Sequence, residues 1–419
     1  MLIASSGIVQ LEALGDLMTE QSWRGWVVLA IVFLAMIPLF GGGFLSFGAF
    51  FEPLVKEFGW SHAATSLLLT IFFLAMGVGQ PLVGWLLDQI EARYIMTAGA
   101  LMVGAAFLLA AGAKSYEPMV AAYILLGLGV GFSTLAPMSV VVANWFGEQR
   151  GLAFGIALSG TALGGFLMVR VAGHFIVGSG WRTAYQSLAW CAFAVVLPIL
   201  LLVRNQPSAS HHHSDSTGGN PVEGLSVSEG FRSRALWLIV LAFYAYTFVV
   251  GVVIAHFIPY LIGIGVSPAG AHAAYSDFQV SAFFGCLLSG YVVDRLSVRP
   301  VAVVMLVLMA ISVASLLAIQ HAAVEAFFIV IFGLNVAAPT AMVMLLLSEA
   351  VGLRHFGFFS GMTMIAATMG DASGPIVAGR MFDILGNYHA AFILSAGAAM
   401  LGALLIAVLP APRFARAHA

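Results

Sequence analysis

Arg170 and Asp371 stand inside long apolar stretches, where a lone charge costs at least roughly 2.5–3.5 kcal/mol on insertion scales. A guanidinium there offers a planar fork matched to a carboxylate. A carboxyl there binds a proton while dry and gives it up when water arrives. Arg170 is therefore a candidate anchor for an anionic group, and Asp371 a candidate proton carrier. His174 follows Arg170 by one turn on the same helical face, and Arg380 lies nine residues beyond Asp371. The same charges could equally find partners and simply lock helices together, with Arg380 pairing locally with Asp383. His256 and Tyr260, four residues apart, share a face, and His titrates in the physiological range. Gln80, Asn335, Tyr244, Tyr246, Asp277 and Gln279 could line a cavity, and each could equally be a satisfied packing residue.

The elements that must carry these groups are membrane helices. Of 419 residues, 61% are hydrophobic and 8% charged, against roughly 25% charged in soluble domains. Twelve stretches reach the ~20 apolar residues that a bilayer core demands: 25–50, 62–87, 94–113, 117–145, 151–178, 181–203, 235–263, 270–293, 299–320, 322–349, 356–384 and 389–410. The net charge of −2 gives no reason to expect a nucleic-acid partner; the lipid bilayer is the partner that composition implies. Cys191 and Cys286 fall in apolar stretches and read as buried small residues without a disulfide.

Glycines, prolines and charges repeat at a constant offset of 206 residues. Gly84 and Asp88 are answered by Gly290 and Asp294, Arg93 by Arg299, Pro53 by Pro259, Gly127 by Gly333, and His174 by Arg380. Two halves of one architecture follow. We expect a lead-in over 1–24, a first bundle over 25–204, a polar linker over 205–233, a second bundle over 234–410 and a tail over 411–419. The linker composition cannot bury enough surface to order itself, and its His211-His212-His213 run reads as solvated rather than metal-binding. No metal, cofactor or nucleotide loop is expected. Arg24, Arg93, Arg150, Arg204, Arg232, Arg234, Arg295, Arg299, Arg354, Arg413 and Arg416 fall on one side of the twelve spans, and Lys56, Lys114 and Arg182 on the other. That asymmetry is the positive-inside signature of two cytoplasmic termini. Pro38 with Gly41-Gly42-Gly43, Pro137, Pro198, Pro259, Pro339 and Gly374-Pro375 interrupt the helical pattern, and proline kinks a helix by deleting a hydrogen bond.

The loops Gly84-x3-Asp88-Gln89-x3-Arg93 and Gly290-x3-Asp294-Arg295-x3-Arg299 resemble the cytoplasmic loop motif of the major facilitator superfamily. There, Gly allows close packing while Asp and Arg latch helix ends across the inner gate. Gln89 departs from the usual Arg, which implies a weaker first latch. Trp145-Phe146 through Gly160, with Trp23-Arg24-Gly25-Trp26, is similar to the monocarboxylate and oxalate:formate branch. That branch places an Arg, and in some members an Asp, on helix eight, where this chain has Cys286 and Ala282.

The resemblance implies an all-α, twelve-helix protein of two pseudo-symmetric six-helix bundles that is not an enzyme. It implies alternating access for a small organic solute, an organic anion held by Arg170, driven by protons or a counter-substrate. The expected solute-lining set is Arg170, His174, His256, Tyr260, Asn335 and Gln80, with Asp371 coupling to protons. The expected place is a bacterial cytoplasmic membrane. The missing helix-eight charges keep a neutral or aromatic solute open, and a non-transporting membrane sensor or assembly factor is a further alternative.

Overall fold

The computed structural model describes residues 23–87, 89–146, 150–204, 224–295, 297–336, 338–352, 354–411 and 414. Twelve membrane-length elements follow the apolar stretches. The first half comprises α1 (Trp23–Phe58), α2 (His62–Leu87), α3 (Ala92–Gly112), α4 (Tyr116–Trp145), α5 (Arg150–Ser179) and α6 (Trp181–Leu202). The second comprises α7 (Arg234–Gly263), α8 (Pro268–Arg295), α9 (Val298–Ala318), α10 (Ala322–Asn335 continued by Ala338–Val351), α11 (Phe356–Leu385) and α12 (His389–Ala407). Among the described residues nine of these are long and apolar enough to cross a bilayer.

Two details differ from the sequence reading. α1 runs on to Phe58, because Lys56 and the acidic Glu52 and Glu57 sit on its last turns without ending the hydrogen-bond ladder. Of the expected prolyl interruptions, Pro259 and Pro375 lie in unbroken helices. The helices do break before the other three, at Thr134 in α4, Val195 in α6 and Val336 in α10, each three residues ahead of Pro137, Pro198 or Pro339, whose rings collide with the preceding turn and supply no N–H to it. In α1 the Pro38-Gly41-Gly42-Gly43 segment forms a π-helix over Ile37–Leu45.

The 206-residue repeat reappears as repeated contacts. A Cβ added to Gly127 would collide with the Phe72 carbonyl, and one added to Gly333 would lie 2.5 Å from the Phe278 carbonyl. Gly79 faces Leu128 and Gly285 faces Leu334; Gly164 packs on Gly41 and Gly370 on Thr247. Each pair is its counterpart shifted by 206. Small residues let membrane helices approach backbone to backbone, so the glycines set the same crossings in both bundles.

The halves meet along α2–α11 and α5–α8, and only over part of their length. We call the end with the loops at 59–61, 113–115, 264–267 and 386–388 the far end, and the end with the 88–91 and 296–297 loops the motif end. At the far end Gly379 packs on the His62 carbonyl, and Thr70 Oγ1 donates to the Ala372 carbonyl at 2.5 Å. Near mid-depth a Cβ added to Gly77 would lie 3.3 Å from Thr368, but one heptad nearer the motif end a Cβ on Gly84 or Gly361 would meet no described residue within 4 Å. Along α5–α8, Gly173 meets His272 and Gly165 meets Gln279, whereas Gly155 meets none of the described residues. Both seams are closed at the far end and splayed at the motif end.

A polar cluster seals the far end. The Asp383 carboxylate of α11 accepts the His62 and Ala63 backbone N–H groups, each at 2.9 Å. These are two of the orphan donors at the start of α2, where the helix dipole also favours an anion. The His62 ring lies 3.5 Å from Asp383 and 3.9 Å from Glu52, and it stacks on Phe382. Behind it, His256 is fully buried, with Nδ1 3.1 Å from the Tyr388 hydroxyl and Nε2 2.8 Å from the Pro375 carbonyl.

Two outcomes are expected. Gly164→Leu, placed where a Cβ would sit 2.5 Å from the Ile37 carbonyl, should cost roughly 1–3 kcal/mol or more through overpacking, read as a lower thermal midpoint in detergent. Asp383→Asn loses charge-assisted bonds worth roughly 1.5–3 kcal/mol each, so a cysteine at Ser66, in a background without Cys191 and Cys286, should be labelled from the far end about tenfold faster. Unchanged labelling would remove the latch role from Asp383.

Candidate translocation site

On α7, Tyr244, Thr247, Phe248 and Gly251 fall on one stripe. Gly370 and Gly374 of α11 approach that stripe at the Tyr244 and Phe248 carbonyls. A Cβ on Gly251 would lie 3.2 Å from Asp371 Cα and 3.1 Å from Pro375. On its other flank α11 is fastened to α2 through Ala372 and Thr70. Asp371 thus stands where α7, α11 and α2 converge, at the depth where the splayed gap begins. Met364, two turns nearer the motif end on the same face, is exposed. The Asp371 side chain is half-buried and, among the described residues, has no hydrogen-bond or ion-pair partner. Beside it, the Tyr244 hydroxyl lies 2.9 Å from Ser373 Oγ.

Gln80 is half-buried on α2, with its amide nitrogen toward Gly131 of α4. Asn335 ends the first segment of α10; its Nδ2 donates to the Ile331 carbonyl at 2.6 Å, while its buried Oδ1 has no partner among the described residues. The Tyr246 hydroxyl donates to the Val336 carbonyl that the break in α10 sets free. His256 belongs to the far-end cluster, and the Tyr260 hydroxyl donates to the Leu316 carbonyl at 2.6 Å. Both are packed into closed structure rather than set along the gap.

Arg170 goes elsewhere. Its guanidinium is 2.9 Å from the Asp277 carboxylate, the two side chains being 48% and 53% exposed, and it lies over the Phe166 ring. Asp277 heads a stripe on α8 that continues through Val280, Phe284 and Leu288, with Phe284 58% exposed. Large apolar side chains exposed at that spacing mark the lipid-facing side of a membrane helix. The pair therefore bridges the halves on the outer face of the α5–α8 seam. His174 accompanies Arg170 on α5, also exposed. The structure brings Arg170 and His174 together with His272 and Asp277, and it sets them apart from Asp371, Gln80 and Asn335.

In the loop motifs, Arg93 pairs with Glu91 of its own loop, and Arg299 donates to the Ala407 carbonyl at 2.6 Å. Gly84 faces open space. Asp88 lies outside the described residues. Gly290, Asp294 and Arg295 belong to α8 by backbone, and their side chains lie outside the description, as does the His211–His213 run.

The sequence reading missed the far-end set of Glu52, His62 and Asp383. Asp383 reads locally as a partner for Arg380, but it caps α2, more than 300 residues away in the chain, and Arg380 is left exposed. The available signal was a carboxylate three residues before the terminating Gly386, at the same end as the Ser61-His62 helix start.

A family model described as Major Facilitator Superfamily matches residues 31–295 and 253–418. The chain is 26% identical over 375 residues to an uncharacterized MFS-type transporter, YcxA, of Bacillus subtilis, covering 87% of this chain and 90% of that one. It is 25% identical over 405 residues to monocarboxylate transporter 13 of Rattus norvegicus, covering 92% and 89%. Among solved structures it is similar to the nucleoside transporter NupG (TM-score 0.76, 13% identity, 92% of this chain and 99% of that one). It is also similar to a bacterial homolog of the human lysosomal transporter Spinster (TM-score 0.63, 16% identity, 93% and 95%). With duplicated six-helix bundles, glycine crossings repeated at 206 residues and a family match over most of its length, this chain belongs to the Major Facilitator Superfamily.

Proposed function

We propose that the chain is a proton-coupled secondary transporter of a small organic monocarboxylate, with Asp371 as the group that carries the proton. The observation behind this reading is the half-buried Asp371 carboxyl, unpaired among the described residues, where α2, α7 and α11 converge at the head of the gap. Two like charges about 4 Å apart at an effective dielectric near 20 repel by roughly 4 kcal/mol. A carboxylate solute therefore binds beside Asp371 only when Asp371 is protonated, and the neutral acid then donates its O–H to the solute. Anion and proton enter together, which makes the step symport, and exchange needs no change in the proton on Asp371. The rat relative's name, a monocarboxylate transporter, supports this solute class.

The motif end faces the cytoplasm of a bacterial inner membrane, and both termini lie there. Support comes from Arg93, Arg204, Arg232, Arg234, Arg299 and Arg354 at that end, against Lys56, Lys114 and Arg182 at the other. This is the positive-inside asymmetry. The splayed seams then describe an inward-open state, with the two bundles, divided within 205–233, rocking about Asp371. A neutral or aromatic solute is the second reading. It is favoured by the pairing of Arg170 with Asp277 away from the gap.

In proteoliposomes, Asp371→Asn is expected to lower uptake driven by an acid-outside gradient at least about tenfold, equivalent to roughly 1.4 kcal/mol of coupling, while counterflow of the labelled solute persists. Gradient-driven uptake that survives the substitution would remove Asp371 from coupling. Arg170→Ala is expected to leave the KM within about twofold, since its guanidinium is engaged by Asp277 on the outer face of the seam and makes no uniform binding contribution to a solute in the gap. A large rise in KM for carboxylates alone would return the anion site to Arg170, and counterflow of neutral solutes but no carboxylate would select the second reading.

A further inference from the structure

A pocket of about 410 Å³ opens on the outer side of the α5–α8 seam near the far end, separate from the gap that holds Asp371. Its walls are mostly small or apolar, including Gly173, Val177 and Ala273, and its polar groups are Arg170, His174 and His272. His272 is 5% exposed. Among the described residues its Nδ1, buried against Gly173, has no hydrogen-bond partner; Nε2 has none either and is not sealed off, and the residue lines the pocket.

That packing fixes the chemistry. A ring nitrogen pressed against a Cα–H is better left as a lone pair than as an N–H, because the C–H can act as a weak donor toward it. The neutral ring then carries its proton on Nε2 and presents a donor to the pocket. Arg170 uses one terminal nitrogen on Asp277 and carries further N–H donors. The pocket wants a ligand rich in acceptor oxygens, and guanidinium matches phosphate in fork geometry.

The access route fixes the source. The pocket shares its side with the exposed Val280, Phe284 and Leu288 stripe, so the ligand arrives through the bilayer with hydrocarbon attached. α5 has 30 residues, about 45 Å at 1.5 Å per residue, which is the bilayer thickness with headgroups included. Arg170 lies nine residues before Ser179, the end of α5, about 13 Å in, and a long basic side chain reaches back toward the interface. We propose that this pocket binds the phosphate of a membrane glycerophospholipid, whose acyl chains lie along the α8 stripe and bridge the two halves at their closed end.

Delipidated protein titrated with phosphatidylglycerol and with diacylglycerol of the same chains, followed by native mass spectrometry, tests this. Phosphatidylglycerol is expected to bind at least about tenfold more tightly than diacylglycerol, as charge-assisted hydrogen bonds would produce. His272→Phe, which keeps the ring and removes the donor, and Ala273→Trp, which fills the pocket, should each abolish that preference. Equal binding of both lipids, or a preference untouched by both variants, would overturn the proposal. Displacement of the lipid by millimolar inorganic phosphate would make this a free-anion site and overturn the lipid assignment. Solute counterflow by the same variants reports separately on folding and on the Asp371 reading.

Discussion

The Asp383 carboxylate, carried by one half, caps the first turn of a helix in the other. A helix start inside or near a bilayer has N–H groups that lipid cannot satisfy; Ser61 accepts the Ala64 N–H locally, and α2 draws the partner for its first two N–H groups from α11. When the halves separate at this end, water must take over that duty. The closed far end is thus stabilised by a group that, in the proposed transport cycle, can be released only where water replaces it. Glu52 and Asp383 flank the His62 ring, and the aromatic cluster of Phe51, Phe382 and Tyr388 keeps this network shielded while closed.

Glycines decide how the rest of each bundle answers that closure. Gly127 on Phe72 and Gly333 on Phe278 fix α2 to α4 and α8 to α10 at backbone contact. Packed interfaces of this kind do not deform continuously, which suits each bundle to act as one body in the proposed transport cycle. Gly77 and Gly84 lie on one stripe of α2, yet only Gly77 keeps its partner across the seam. Relative tilt of two rigid bodies produces that pattern.

The fold was open to reading from sequence because its determinants are local or periodic. Apolar length gives spans, and the 206-residue offset gives two halves; the structure returns both as helices and as duplicated contacts. The side-chain surroundings were less accessible. Arg170 and Asp371 look alike in sequence, each a charge in an apolar run, but one faces the outer stripe and the other the head of the gap. Which side of α5 faces lipid depends on where α1 and α8 lie, and no periodicity within α5 encodes that. His256 and Tyr260 share a face as their spacing requires, yet that face is packed into the closed end by residues of α11, the 386–388 loop and α9.

Charge placement then separates stability from transport. Arg170 and Asp277 neutralise each other across the halves, so their cost in the membrane is reduced without any contribution from a solute. Asp371 has no such partner among the described residues, and its charge is tolerable only when water, a proton or a bound solute compensates it. A charge with a built-in counter-ion gives the same energy in every state in which the pair survives. An uncompensated carboxyl does not, because its energy changes as the gap opens and closes. Only a group of the second kind can convert a difference in proton activity into a preference between conformations, which is why the proposed function assigns coupling to Asp371 rather than to the ion pair on the outer face.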